Sequence, residues 1–233
     1  MNIALLGYGK MGKAIEKIAL ERGHVIVLKT THNSDKITLK NVDVAIDFSV
    51  PKSAYKNITT CINNAVPVVS GTTGWLDKYA EVVKLCKEKK GSFIYASNFS
   101  LGVNIFFELN KKLASIMANY TDYKVTVEEI HHTQKLDAPS GTAITLANQI
   151  LEKFKKDTWV LGVTDKDNEL PIIAKRKENV AGTHHVTYEN EIDKIEIIHK
   201  AKSRKGFALG AVIAAEWLVD KKGVYAMKDV LGI

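Results

Sequence analysis

Short apolar runs and amphipathic stretches alternate through the first hundred residues of the chain. β-rich runs stand at Ile3 to Leu6, His24 to Leu28, Val42 to Asp47, Val66 to Ser70 and Ser92 to Ala96. Apolar residues at helical spacing fill about Met11 to Arg22, about Lys52 to Asn63 and Leu76 to Lys89. Strand and helix signals in alternation predict a parallel sheet with crossover helices. Several of the runs are apolar throughout instead of at every second position, as strands covered on both faces require. The expected fold class is α/β: an N-terminal Rossmann-type doubly wound parallel sheet plus a smaller α+β domain.

The pattern changes after "SNFSLGVN". A helix is predicted near Ile105 to Ala118, a strand near Tyr123 to Ile130 and a helix from about Thr142 to Lys155, with further strand signals at "HHVTYEN" and "KIEIIHKA". The stretch from Asp165 to Gly182 reads as a polar loop. The last helix, from about Phe207 to Leu218, is apolar enough to pack back on the first domain. The expected division is residues 1–101 as a dinucleotide-binding domain, with 207–233 packing back on it, and residues 102–206 as a second, substrate-binding domain.

Composition narrows the field. The 233 residues are 45% hydrophobic, enough for a sizeable core, and no run of about 18 apolar residues could span a bilayer. No basic, then apolar, leader opens the chain, so a cytoplasmic protein is expected. Cys61 and Cys86 stand outside any C-x-x-C pair, which argues against a thiolate metal site or a disulfide scaffold. The net charge is +7 and the pI about 9.2. Its lysines are dispersed over predicted helix ends and faces, not gathered with aromatics, so a nucleic-acid partner is not expected. A positive field suits an anionic small molecule.

"IALLGYGKMGKAIE" puts Gly7, Gly9 and Gly12 in G-x-G-x-x-G spacing, straight after a strand and at the start of a helix. That context predicts pyrophosphate binding by the loop of Gly7, Tyr8, Gly9, Lys10, Met11 and Gly12. At the end of the second strand, Lys29 replaces the acidic residue that usually holds the adenosine ribose, followed by Thr30, Thr31 and His32. A lysine can attract a 2′-phosphate, so NADPH is expected to be used well, with or without NADH. "DFSVP", with Phe48, and "SGTTGW", with Gly71, Thr72 and Thr73, offer small residues, hydroxyls and amides at further strand ends, suited to a ribose or nicotinamide amide.

"EEIHHTQKLDAPSGTA" gathers two histidines, a lysine and a turn in one short run. If the strand ends between His131 and His132, both can reach one pocket. Ser140 or Thr142 can cap the following helix, and amides at Ser140, Gly141 and Thr142, with Lys135 nearby, make a carboxylate site. A second pair, His184 and His185, raises a metal reading. Adjacent histidines rarely ligate one ion and no carboxylate or thiolate falls at a helpful spacing, so no metal is expected.

With these motifs in place the chain resembles the dihydrodipicolinate reductases (4-hydroxy-tetrahydrodipicolinate reductases), nearly end to end. The resemblance is most specific in "HHTQKLDAPSGTA" and is supported by "GTTG", "SNFSLGVN" and "HKAKSRKGFALGA". It implies reduction of a cyclic, unsaturated dicarboxylate by NADPH or NADH with loss of water, on the way to meso-diaminopimelate and lysine. His131 would be the proton donor and acceptor and Lys135 the second donor, while His132, Gly141 and Thr142 match substrate-binding positions. Ala96, Ser97, Asn98 and Phe99 match a further coenzyme-binding loop. A homotetramer built through the second-domain sheet is likewise implied by resemblance. The chain departs from the family in a glycine loop one residue shorter, and in Thr133 and Gln134 where basic residues are common. Two other readings compete: another two-domain NAD(P)-dependent dehydrogenase on an amino-acid-like substrate, and a non-enzymatic dinucleotide or nucleic-acid binder.

Overall fold

The structure, a computed structural model, describes residues 1–31, 37–203 and 205–233. His32, and Arg204 of the C-terminal motif, lie outside the described residues. The chain forms two compact units: Met1–Leu101 with Lys205–Ile233, and Gly102–Arg204.

The first unit holds β1 (Asn2–Leu6), α1 (Lys10–Glu21), β2 (Val25–Thr30), β3 (Val44–Asp47), α2 (Pro51–Asn63) and β4 (Val68–Ser70). A 3-10 turn (Leu76–Lys78) then leads into α3 (Tyr79–Glu88) and β5 (Ser92–Tyr95). In the second unit follow α4 (Leu101–Met117), β6 (Lys124–His131), α5 (Gly141–Leu151), β7 (Thr158–Leu161), β8 (Glu169–Arg176), β9 (Thr183–Glu189) and β10 (Lys194–Lys200). The chain then returns to the first unit as α6 (Lys205–Leu218), β11 (Gly223–Tyr225) and α7 (Met227–Leu231).

The first sheet runs β11-β5-β4-β3-β1-β2, every pairing parallel. Alternation along its strands sorts the core into two layers. Ile3, Leu5, Val44 and Ile46 face Ile15 and Ala19 of α1 and Ala211 and Ala215 of α6. Ala4, Leu6 and Ala45 face Ile58 and Ile62 of α2 and Val82 of α3. Burial on both faces explains why these strands read as unbroken apolar runs; each large aliphatic side chain so buried contributes about 1.5–3 kcal/mol relative to exposure. Strand order reverses at β1, placing the loops after β1, β3, β4 and β5 at the switch point where nucleotides bind in such sheets.

The second sheet is mixed, ordered β10-β9-β6-β8-β7. Its central strand β6 pairs parallel with β8 and antiparallel with β9. One face is covered by α4 and α5 through Phe106, Ala114, Leu146, Ala147 and Ile150. The stretch expected to be a polar loop corrects the reading from sequence: Glu169–Arg176 is β8, hydrogen-bonded to the central strand. Charged flanks and Pro171 hide it, yet Leu170 and Ile172 are fully buried. β7, β11 and α7 were also missed; each is too short, at three to five residues, to show a period.

Candidate functional site

In the first unit the glycine loop follows β1 directly. Gly7 has φ +103°, and a Cβ there would stand 2.2 Å from the Phe48 carbonyl oxygen. A Cβ on Gly12 would lie 2.3 Å from the Gly7 carbonyl oxygen, which lets helix and loop close on each other. Gly9 is the N-cap of α1, with no side-chain cap bond and open space where a Cβ would be. Its helix start thus presents amides to an anion, and the residues present fit a dinucleotide pyrophosphate.

Phe48 follows β3 directly, with its ring over Gly71, whose Cβ would meet it at 2.3 Å, and 5.7 Å from the ring of Phe99. Beneath these loops lies fully buried Asp47, which sequence reasoning passed over. Its Oδ1 accepts from Ser49 Oγ at 2.7 Å and Asn57 Nδ2 at 2.9 Å; its Oδ2 accepts from Ser70 Oγ and Thr72 Oγ1, each at 2.8 Å. Burial pushes the Asp47 carboxyl up, against the hydrogen bonds from Asn57, Ser49, Thr72 and Ser70. One side chain thereby fastens both coenzyme-side loops.

Two of the residues expected to line this loop cluster turn their side chains inward. The Thr72 hydroxyl, 5% exposed, also accepts from the Ser49 amide at 2.8 Å, so it is spent on shaping the loops. Phe99 is 1% exposed and serves the core. Thr73 and Ser97 are exposed, while Tyr8, Met11, Gly71, Ala96 and Asn98 are partly buried.

Lys29 is engaged by its own chain. Its Nζ lies 2.5 Å from Glu16 Oε1 and 4.7 Å from the centre of the Tyr8 ring, and Tyr8 donates to Glu16. The Lys29 and Tyr8 hydrogen bonds hold Glu16 below its ordinary carboxylate value. A 2′-phosphate at Lys29 therefore competes with Glu16. We expect Glu16→Gln to raise, and Lys29→Glu to lower, kcat/KM for NADPH relative to NADH; ratios equal to the parent's would make the pair a bystander.

In the second unit, register assembles the site. The inward row of β6 runs Val125, Val127, Glu129, His131, turning from apolar to ionisable at its carboxyl end. Val127 sits across from Ile172 and Val186, all fully buried. One step along, Glu129 pairs with His184, which pairs with His199; one step further, His131 pairs with Arg176. The same alternation that builds the core thus brings the carboxylate, three histidines and the arginine together.

Glu129 is fully buried. Its Oε2 accepts from the Ser140 amide at 3.1 Å and lies 3.2 Å from His131 Nδ1, a charge contact and not a well-aligned hydrogen bond. Burial opposes ionisation, but His131 and Ser140 outweigh it and hold the carboxyl at about 2. The His131 and His184 rings stand edge to face at 5.1 Å. Burial first, then the nearby His131, hold His184 down at about 3.

β6 ends at His131, and His132 opens an irregular segment through Ser140, so the strand does stop between the paired histidines. The Lys135 ammonium bonds Asp137 at 2.7 and 2.9 Å. Of the two candidate caps, Ser140 is the one that takes the role. It caps α5 by accepting from the Ala143 amide at 3.2 Å, lies 3.3 Å from His184 Nε2, and gives its own amide to Glu129. At 3% exposure it positions the helix start. Around Gly141 nothing lies within 4 Å of where a Cβ would be.

A carboxylate does fall near the histidines, contrary to the spacing argument: Glu129 lies two residues from His131 on the same strand face. Ligand atoms of Glu129, His131 and His184 lie within 4.8 Å of one another. The carboxylate is nonetheless taken up by the Ser140 amide and by Arg176, whose Nη1 and Nη2 both stand 3.4 Å from Oε1. A cation already stands against that charge.

The two ionisable groups predict acid lability. His184, whose pKa falls from 6.5 to about 3 on folding, makes stability decline as pH drops below 6.5; Glu129, falling from 4.5 to about 2, removes more between pH 4.5 and 2. Thermal midpoints measured against pH should show both stages, with the upper one reduced in His184→Gln.

The doubly wound sheet with an anion-ready helix start, and the separate sheet domain carrying a histidine-lysine cluster, define a two-domain nucleotide-dependent reductase. No helix among the described residues is long and apolar enough to cross a membrane. Residues 1–99 match the family model of the dihydrodipicolinate reductase N-terminus, and residues 102–231 that of its C-terminus. The chain belongs to the dihydrodipicolinate reductase family. It is 64% identical to the 4-hydroxy-tetrahydrodipicolinate reductase of Christiangramia forsetii, over 99% of this chain and 98% of that one. A dipicolinate-bound dihydrodipicolinate reductase from Paenisporosarcina sp. TG-14 shares the fold, with TM-score 0.77, 24% identity and 97% of each chain covered. Aspartate dehydrogenase from Thermotoga maritima shares it more loosely, with TM-score 0.51 and 13% identity over 97% of this chain and 99% of that one.

Proposed function

We infer that the chain reduces 4-hydroxy-tetrahydrodipicolinate to tetrahydrodipicolinate with NADPH or NADH, releasing water, in lysine and diaminopimelate biosynthesis. The observation that carries this is His131 set against a fully buried, ionised Glu129, in a chain that matches the reductase family in both halves.

A reduced nicotinamide supplies a hydride when bound. The glycine loop from Gly7 to Gly12 and the loops held by Asp47 shape the coenzyme site, and Ala96, Ser97 and Asn98 border it. Loss of the hydroxyl with a ring hydrogen as water leaves a conjugated imine. The incoming hydride brings two electrons, and one proton completes the reduction. His131 supplies that proton: its Nδ1 is buried beside Glu129, leaving Nε2 to exchange with a ligand. Lys135 receives a substrate carboxylate. Its bond to Asp137, whose side chain is 64% exposed, belongs to a class of pairs contributing about 0–1 kcal/mol, so a dicarboxylate can take its place. His132, Gly141 and Thr142 complete the carboxylate-binding segment.

The protein is assigned to the cytoplasm, as a homotetramer joined through the second-unit sheet, whose outer row includes Ile198 at 53% exposure. Sedimentation or light scattering tests that assembly. The activity is tested by adding purified protein to dihydrodipicolinate synthase with pyruvate and aspartate semialdehyde. Synthase-dependent loss of reduced-nicotinamide absorbance is expected; none with either coenzyme would end this reading.

A further inference from the structure

Arg176 reaches both chemically important parts of the second unit without itself being a proton carrier. It is the cross-strand neighbour of His131. Its guanidinium meets Glu129 Oε1 at 3.4 Å through Nη1 and Nη2, donates from Nη2 to the Asp137 carbonyl at 2.7 Å, and from Nε to the Lys135 carbonyl at 3.3 Å. Nη1 also donates to the Lys175 carbonyl at 2.9 Å, which fixes the guanidinium against its own strand. The segment from His132 to Ser140 has neither helix nor strand to hold it. Its shape therefore depends on bonds such as these.

We propose that the Glu129–Arg176 ion pair is a positioning device that sets the His131 ring and the Lys135-bearing segment in one frame. The proposal rests on the roles given above to His131 and Lys135. One carboxylate oxygen faces the histidine and the Ser140 amide; the other faces the arginine. A shift of Glu129 would be passed to the ring, to the start of α5 and, through Arg176, to Lys135. Only a planar fork serves this geometry. A lysine at position 176 could carry the charge but, as a point donor on a flexible stem, could not hold two carbonyls and a carboxylate at once. Buried carboxylates need such partners, since removing one partner from a buried pair leaves an uncompensated charge.

Glu129→Gln and Arg176→Lys test this in the full chain, alongside His131→Gln and Lys135→Ala. Folding is verified by circular dichroism, and coenzyme binding by fluorescence titration with NADPH. Arg176→Lys should raise the substrate KM and lower kcat about tenfold or more, with NADPH affinity unchanged. Glu129→Gln should lower kcat and move the limb of its pH profile governed by the proton donor to lower pH. Among the described residues, the charged and titratable groups around His131 are Glu129 on its own strand, Arg176 on β8, His184 on β9, His199 on β10 and Lys135 in the adjoining segment. Of these the substitution removes just the anion, which sets the sign of the shift. Glu129→Asp, which restores charge with a shorter reach, should return the pH profile toward the parent's while leaving kcat low.

A purely architectural pair would lower the thermal midpoint but leave the pH profile unshifted and the substrate KM at the parent's value; that result overturns the proposal. If Glu129→Gln does not fold, parent values of kcat and KM in folded Arg176→Lys overturn it equally. Full activity in His131→Gln and Lys135→Ala would instead remove the functional reading itself. Impaired turnover there, with parent behaviour in Glu129→Gln and Arg176→Lys, would remove the positioning device and leave the function standing.

Discussion

Replacing His131 by Gln lowers kcat by about 10²- to 10⁴-fold, the range that a positioned general acid contributes. Gln fills similar space and can still meet Glu129, so the loss reports the missing proton and not a collapsed strand end. His131 is 8% exposed on the inward face of β6, and its Nδ1 is already committed to the carboxylate side. No other group on that row can take over: His184, beside it, is held neutral down to a pKa of about 3 by burial and by His131, so it donates poorly near neutrality. NADPH affinity should stay within about twofold, because the glycine loop belongs to the other compact unit. Rapid-mixing measurement of hydride transfer and fluorescence titration of NADPH check the two halves of the expectation. Turnover within a few-fold of the parent would strip His131 of its role.

Asp47→Ala should be the most destabilising single change in the first unit, by about 3 kcal/mol or more. Ser49, Asn57, Ser70 and Thr72 all give a hydrogen bond to this fully buried carboxyl. Each buried polar group left without a partner costs about 1–3 kcal/mol, and hydroxyls that rotate to new acceptors recover part of that. The same change releases the loops that Phe48, Gly71 and Thr72 belong to, so NADPH affinity should fall together with stability. Urea denaturation and coenzyme titration measure the pair of effects. A loss below about 1 kcal/mol would mean that the donors find other acceptors and that the carboxyl is no hub.

The parallel sheet was legible because strands buried on both faces must be apolar at every position, and "VAID" or "VVS" leaves little else to read. β8 was not, since "ELPIIAKR" mixes a proline and charges into a strand half covered by helices. In the site, His131 and Lys135 stand four residues apart in the chain, so local spacing reveals them. Glu129 was available to the same kind of reading through alternation, as the residue two before His131 on the same strand face. Arg176 and His184 were out of reach: they meet Glu129 and Ser140 across sequence gaps of 47 and 44 residues, closed by strand register that no single sequence records. Ser140 was legible as a cap from its place before the helix, whereas the Thr72 hydroxyl advertises ligand binding but is turned by burial to Asp47 and the Ser49 amide.

The chain leaves the first unit at Leu101 and comes back at Lys205, and this has a meaning for synthesis on the ribosome. While residues up to Leu101 emerge, the face of the sheet formed by Ile3, Leu5, Val44, Ile46, Val69 and Ile94 has α1 against it but lacks Ala208, Ala211, Ala215 and Leu218 of α6 and Met227 of α7. The edge beside β5 likewise waits for β11. The second unit, made from one unbroken length of chain, can finish first. The nascent nucleotide domain must keep an uncovered apolar face and an open strand edge out of trouble until the last segment is released, and that interval is where a chaperone has something to hold.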